Sequence, residues 1–166
     1  MKKDFIIVLA WPEGMVAGAG SWYDKVFSNN GKYRAGHSAL ILVNSSTNQL
    51  HYFDFGRYHS PFGFGRVRDL ETDPDILLKS KSIISENSID NIKEILLEIS
   101  NLKATHGHGR LYASILKNID SNKAYEKAKE TQNIGLIPYG PLTPSGTNCS
   151  RFVTTIMLAS KPHWVT

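Results

Sequence analysis

With 166 residues, 41% of them hydrophobic and 20% charged, the chain has the size and composition of one globular domain spanning residues 1–166, able to bury a core without disulfides or metal. Its single cysteine excludes an internal disulfide, so nothing in the sequence asks for an oxidising compartment. A net charge of +4 without a clustered basic stripe argues against nucleic acid as a partner, and no apolar run approaches the roughly eighteen residues of a membrane span.

The chain opens with Met1-Lys2-Lys3, the way an export signal does, but Asp4 interrupts and the apolar run of residues 5–11 stops at Pro12 and Glu13. That run is short for a signal core, and the small residues Ala17-Gly18-Ala19 do not follow it closely, so a cytoplasmic protein is expected. Residues 5–10, Phe-Ile-Ile-Val-Leu-Ala, read instead as a buried strand. From 13 to 36, glycines and asparagines alternate with Trp22, Tyr23 and Phe27, which suits a long loop holding a short helix over 21–27. Gly18-Ala19-Gly20 lacks the lysine and spacing of a phosphate loop.

Residues 36–43 read as a second strand, 44–48 as a polar turn and 50–55 as the return strand of a hairpin, with His37 at the strand mouth. The segment 56–68 is rich in glycine, aromatics and arginine. Arg66 and Arg68 share a face if it is extended, and they either hold an anion or pair with Asp54, Asp69, Glu71 or Asp73 to fasten the loop; the second is favoured. Ile89, Ile92, Leu96, Ile99 and Leu102 mark an amphipathic helix over 88–102, started by Asn87 or Ser88. His106 and His108 follow in a loop, and with no second ligand cluster they do not predict a metal site. Residues 111–119 and 121–130 are expected as two further helical segments, the second charged and solvent-facing, and 134–139 as a short strand.

Pro141, Pro144 and Gly146 then block helix formation up to Thr147-Asn148-Cys149-Ser150-Arg151-Phe152-Val153, where Thr147 or Asn148 can cap a new helix whose apolar stripe is Phe152, Val153, Ile156 and Met157. Cys149 thus falls in a first helical turn, where unpaired N–H groups and the positive end of the dipole favour the thiolate. A thiol nucleophile needs a base and the base an orienting group. Of the six histidines, His37 is best placed, since the hairpin's return strand can supply the orienting group; His51, His59, His106, His108 and His163 are less well placed. A turn centred near 46–47 sets residue 56 opposite His37, so Asp54 is the expected third member, with His51 or Tyr52 as alternatives. The Cys149 backbone N–H, with the side chain of Asn148 or Tyr139, would hold an oxyanion.

A histidine opening a strand, a polar residue on its hairpin partner and, much later, Asn148-Cys149-Ser150-Arg151-Phe152-Val153 opening a helix resemble the circularly permuted branch of the NlpC/P60 papain-like thiol hydrolases, which includes the lecithin:retinol acyltransferase-like proteins. Histidine before cysteine is the order of that branch. The resemblance covers residues 36–58 and 139–157. It implies an α+β fold of the permuted papain-like kind, a small antiparallel sheet packed on the cysteine-bearing helix with further helices outside, with Cys149 as nucleophile, His37 as base and Asp54, or His51, as the polar third residue. It also implies a covalent acyl-enzyme, released to water in a hydrolase or to another acceptor in an acyltransferase, and no cofactor. Members act on peptidoglycan peptides, other amides or lipid esters; with no export signal and no membrane anchor, a cytosolic peptide, amide or soluble ester is expected by elimination. The competing expectation is a non-catalytic module on the same scaffold, holding an acidic ligand through Arg57, Arg66 and Arg68 with the aromatics Tyr58, Phe62 and Phe64. Nothing in the sequence sets the oligomeric state.

Overall fold

The computed structural model describes residues 3–17, 30 and 32–161. The helix expected over 21–27 and His163 lie outside the described residues. The centre of the molecule is an antiparallel pair, β1 (Asp4–Trp11) and β4 (His37–Asn44), in register from Phe5 opposite Val43 to Trp11 opposite His37. The apolar runs of residues 5–9 and 39–43 are near-continuous because both faces of the sheet are covered, with Val8 half-buried and the rest of these positions buried. β4 turns through Asn44, whose side-chain oxygen accepts the N–H groups of Ser46 and Thr47, into β5 (Gln49–Gly56). β6 (Phe64–Arg68) pairs with the far end of β5, and β10 (Ile137–Pro138) pairs with β6. β9 (Tyr112–Ile119) lies along the other side of β1, so the six-stranded order is β10-β6-β5-β4-β1-β9.

On one face, Phe5, Ile7, Leu9, Trp11, Ala39, Ile41, Val43 and Tyr52 pack against α1 (Ile92–Asn101) through Ile95 and Ile99. On the other, Ile6, Leu40, Leu42, Phe53 and Phe55 pack against α2 (Ser121–Asn133) through Ala124 and Ala128, and against α3 (Cys149–Ala159) through Phe152, Val153 and Ile156. The result is a mixed α+β arrangement, an antiparallel sheet with three helices among the described residues. Two-stranded ribbons, β2 (Met15–Ala17) with β3 (Lys32–Arg34) and β7 (Ile84–Ser85) with β8 (Ser88–Ile89), stand beside it.

Three expectations are corrected here. Residues 112–119 form a strand, not a helix: β1 is buried and its outward N–H and C=O groups require a partner, and an apolar run this short carries no decisive period of its own. The helix expected from 88 starts at Ile92, because Asn91 ties the chain back, its side chain accepting from the Ile83 N–H and donating to the Lys81 carbonyl, which leaves 84–89 as a hairpin. Part of the 13–36 stretch is a ribbon, where only loop and helix are expected.

Candidate active site

The site is built where β4 begins. Gly36 has φ +68, and a Cβ there would stand 2.7 Å from the Trp11 carbonyl oxygen, so only glycine turns the chain so tightly into β4. His37 follows as the first strand residue, its ring stacked on Trp11 at 5.7 Å between centroids and an interplanar angle of 19°. On the partner strand Ala39 faces Asp54, which places residue 56 across from His37 and Asp54 on the diagonal of the same face. His37 Nε2 lies 3.1 Å from Asp54 Oδ2. His51 is an odd-numbered neighbour on β5, so its side chain leaves by the opposite face, where it meets Tyr125 edge-on at 5.3 Å; it is not brought to His37.

Asp54 is fully buried and held by more donors than the sequence foretells. Arg68, directly opposite on β6 and 2% exposed, donates from Nε to Oδ1 at 3.0 Å and from an η-nitrogen to Oδ2 at 2.7 Å. The Tyr52 and Tyr58 hydroxyls donate to Oδ2 at 3.1 and 3.0 Å, and the Tyr58 oxygen is also 3.3 Å from His37 Nε2. Tyr58 is clamped between the Arg68 guanidinium, 3.4 Å from its ring centroid, and His106, stacked at 5.1 Å. Burial alone would raise the Asp54 carboxyl, but the bonds from His37 and Arg68 outweigh it and hold the group below the usual carboxylate range. Arg68 and Tyr58 are residues that the sequence offers for an acidic ligand or a loop ion pair and not for the catalytic set. The signal for Arg68 is its two-residue spacing from Arg66 on an extended segment, which leaves four carboxylates as possible partners.

Cys149 is the first residue of α3, and Asn148 is its N-cap, the side-chain oxygen accepting the Arg151 N–H at 2.9 Å. The helix packs on the face opposite His37, yet thiol and imidazole meet because His37 stands at the end of its strand, where the sheet no longer separates the two sides. With Nε2 turned to Asp54, Nδ1 is the ring nitrogen left for the thiol. Burial would push the 8%-exposed thiol up, but hydrogen bonds with His37 and Ser38 and the imidazolium charge bring it down to about 7. Burial would push His37 down, and Asp54 together with the Cys149 thiolate carries it up to about 9. Between these values the pair is a thiolate beside an imidazolium.

The remaining expected residues are distributed around this core. Asn148 commits its oxygen to the cap, and Tyr139 stacks on Phe55 at 5.9 Å beneath the Arg57 guanidinium, 5.4 Å from the ring centroid. Arg66 donates from Nε to the Tyr58 carbonyl at 2.8 Å and from both terminal nitrogens to Asp73, each at 2.7 Å, so it fastens the loop. With Arg68 on Asp54 as well, the arginines of β6 both serve internal carboxylates, the arrangement favoured for them over an anion site. Among the described residues no group of three or more His, Cys, Asp or Glu side chains is placed to hold a metal ion, and no helix is long and apolar enough to cross a membrane.

No curated protein matches the chain. Among solved structures, the crystal structure of the type VI secretion system effector TseH is similar over 96% of this chain and 78% of that one, with a TM-score of 0.66 and 21% identity, a likeness of fold. Residues 6–165, which include His37, Asp54 and Cys149, match the family model described as type VI secretion system effector TseH-like. The chain therefore belongs to the TseH-like family of type VI secretion system effectors.

Proposed function

We propose that the chain is a thiol hydrolase of the circularly permuted NlpC/P60 papain-like type, acting as a secreted effector. The observation that carries this reading is the His37 ring set between a buried carboxylate at 3.1 Å and a cysteine, in the first turn of a helix, whose thiol is lowered to about 7. Structural ion pairs are also buried, but a lone thiol made more acidic by an imidazole at a helix start has no evident use in packing.

In this reading the Cys149 thiolate attacks an amide or ester carbonyl, and a C–S bond forms as the carbonyl oxygen takes the negative charge. The Cys149 backbone N–H at the helix start is a fixed donor for that oxygen. The His37 imidazolium then gives its proton to the leaving amine or alkoxide as the C–N or C–O bond breaks, and neutral His37 next takes a proton from the water that releases the acyl group. Asp54 holds the ring and balances its charge, and Arg68 and Tyr58 hold Asp54. Membership in a secretion-effector family supplies a way out of the producing cell that needs no leader of its own. Peptides of the cell wall thereby return as substrates beside cytosolic amides and esters.

The test is alkylation by iodoacetamide at neutral pH with acyl-enzyme trapping by mass spectrometry, on wild type, Cys149→Ala and His37→Ala. The expected result is fast labelling confined to Cys149 and slowed in His37→Ala. A folded wild-type thiol that reacts no faster than the same thiol in urea would end the proposal.

A further inference from the structure

A groove of about 820 Å3 lies between the loop that leads into α3 and the outer face of that helix. Its lining sets hydroxyls and one cation beside Pro141, Leu142 and Pro144. Six hydroxyl side chains face it, Thr143, Ser145 and Thr147 from the loop and Ser150, Thr154 and Thr155 from α3, together with the guanidinium-bearing Arg151. Among the described lining residues there is no carboxylate and no aromatic ring, and Leu142 is the one large hydrophobic.

The groove connects to the reacting atoms at Ser150, whose Oγ is 3.4 Å from Ser38 Oγ, and Ser38 hydrogen-bonds the Cys149 thiol. Arg151 stands at the same end. Side chains of a helix lean toward its N-terminus, and the Arg151 guanidinium folds back to within 3.4 Å of the Gly146 carbonyl oxygen, ahead of Cys149 in the chain. Its partners differ from those of the β6 arginines, which are each engaged in a two-pronged ion pair: among the described residues no carboxylate lies within ion-pair distance of Arg151.

We infer that this groove is the substrate subsite of the proposed hydrolase, and that it takes a polar acyl group bearing a carboxylate about one residue from the scissile carbonyl, with Arg151 as the residue that reads the charge. The inference rests on the thiol-hydrolase reading and narrows its substrate from acyl compounds at large to carboxylate-bearing amides. A lipid acyl chain is disfavoured because it would desolvate the guanidinium and the hydroxyls that share the groove with Pro141, Leu142 and Pro144. A peptide carboxylate instead gains a charge-assisted, two-pronged partner, with hydroxyls to satisfy the neighbouring amides.

Three chloroacetyl probes that differ only beyond the electrophilic carbon test this: N-chloroacetylglycine, N-chloroacetylglycinamide and N-hexylchloroacetamide. In each the thiolate displaces chloride. Second-order rates for wild type, Arg151→Gln and Arg151→Lys are divided by the same protein's iodoacetamide rate, so that a change in thiol reactivity cancels. The expected result is a preference of about fivefold for the glycine probe over its amide in wild type, lost in Arg151→Gln and partly kept in Arg151→Lys, as for an exposed charge pair. Equal rates for the two glycine probes in wild type, or a preference that survives Arg151→Gln, would overturn the inference and leave the hydrolase reading standing. A hexyl probe that reacts fastest and ignores Arg151 would overturn it in favour of an apolar acyl group. An unreactive wild-type thiol would remove both.

Discussion

His37 and Cys149 titrate as one unit, and their opposite shifts set a window for chemistry. The thiol at about 7 and the ring at about 9 keep the ion pair populated between those values. Alkylation of Cys149 should therefore rise with a midpoint near 7. Turnover should rise over the same range and fall again above about 9, where the ring has lost the proton the leaving group needs. In His37→Ala the alkylation midpoint should move up toward the ordinary thiol range of about 8.5, since the ring supplies both the hydrogen bond and the charge that hold it down. Rates measured across pH on both proteins decide this. Asp54 makes a second prediction at this scale. Replacing it by Ala leaves Arg68 buried without its carboxylate, so Asp54→Ala should lose about 3–5 kcal/mol in urea unfolding, as expected for breaking a buried pair. Because its folded pKa lies below the ordinary value, the stabilisation from Asp54 is present above that ordinary value, near pH 4, and is lost as pH falls through the folded one.

Among the elements, α3 carries the thiol, and its start is fixed by Asn148. The cap aligns the free N–H groups of the first turn with the thiol, so Asn148→Ala should cost about 1 kcal/mol of stability and raise the Cys149 alkylation midpoint, whereas Asn148→Asp should retain the stability. Denaturant midpoints and pH–rate profiles of the two variants separate capping from any general effect of the substitution. The β4–β5 hairpin contributes the other half through register alone. The diagonal from His37 to Asp54 holds only if no residue is inserted between them, since a slip by one would send Asp54 to the face where His51 now packs on Tyr125.

Across the whole molecule, the site depends on segments far apart in the chain leaning on the same ring. Trp11 stacks on His37, and the loop after α1 passes so close that a methyl at Gly107 would overlap the Trp11 indole. Gly107→Ala should push the indole into His37. We expect a stability loss of about 1–3 kcal/mol and a fall in turnover on the order of tenfold to a hundredfold, read from unfolding curves beside rates on any substrate the wild type turns over. The same loop brings His106 onto Tyr58 and the Ala104 carbonyl onto Arg68 at 3.0 Å, so the carboxylate behind His37 is supported from β5, β6 and the 103–107 segment together.

The sequence by itself determined the buried strands, the hairpin with its register, and the cysteine at a helix start, because each follows from local periodicity, turn chemistry and capping. From these alone His37, Asp54 and Cys149 stand out as a set, and the family resemblance rests on the same residues. The tertiary structure decided what depends on partners. Residues 112–119 became a strand because β1 had an unpaired edge to fill. Arg68 chose Asp54 from four carboxylates because β6 docks opposite it, and Tyr58 entered the site because Arg68 and His106 hold its ring. Arg151 was left facing a groove because the 141–147 loop brings no carboxylate to it. Such choices are set by distances between segments remote in the chain, and no local pattern of side chains encodes them.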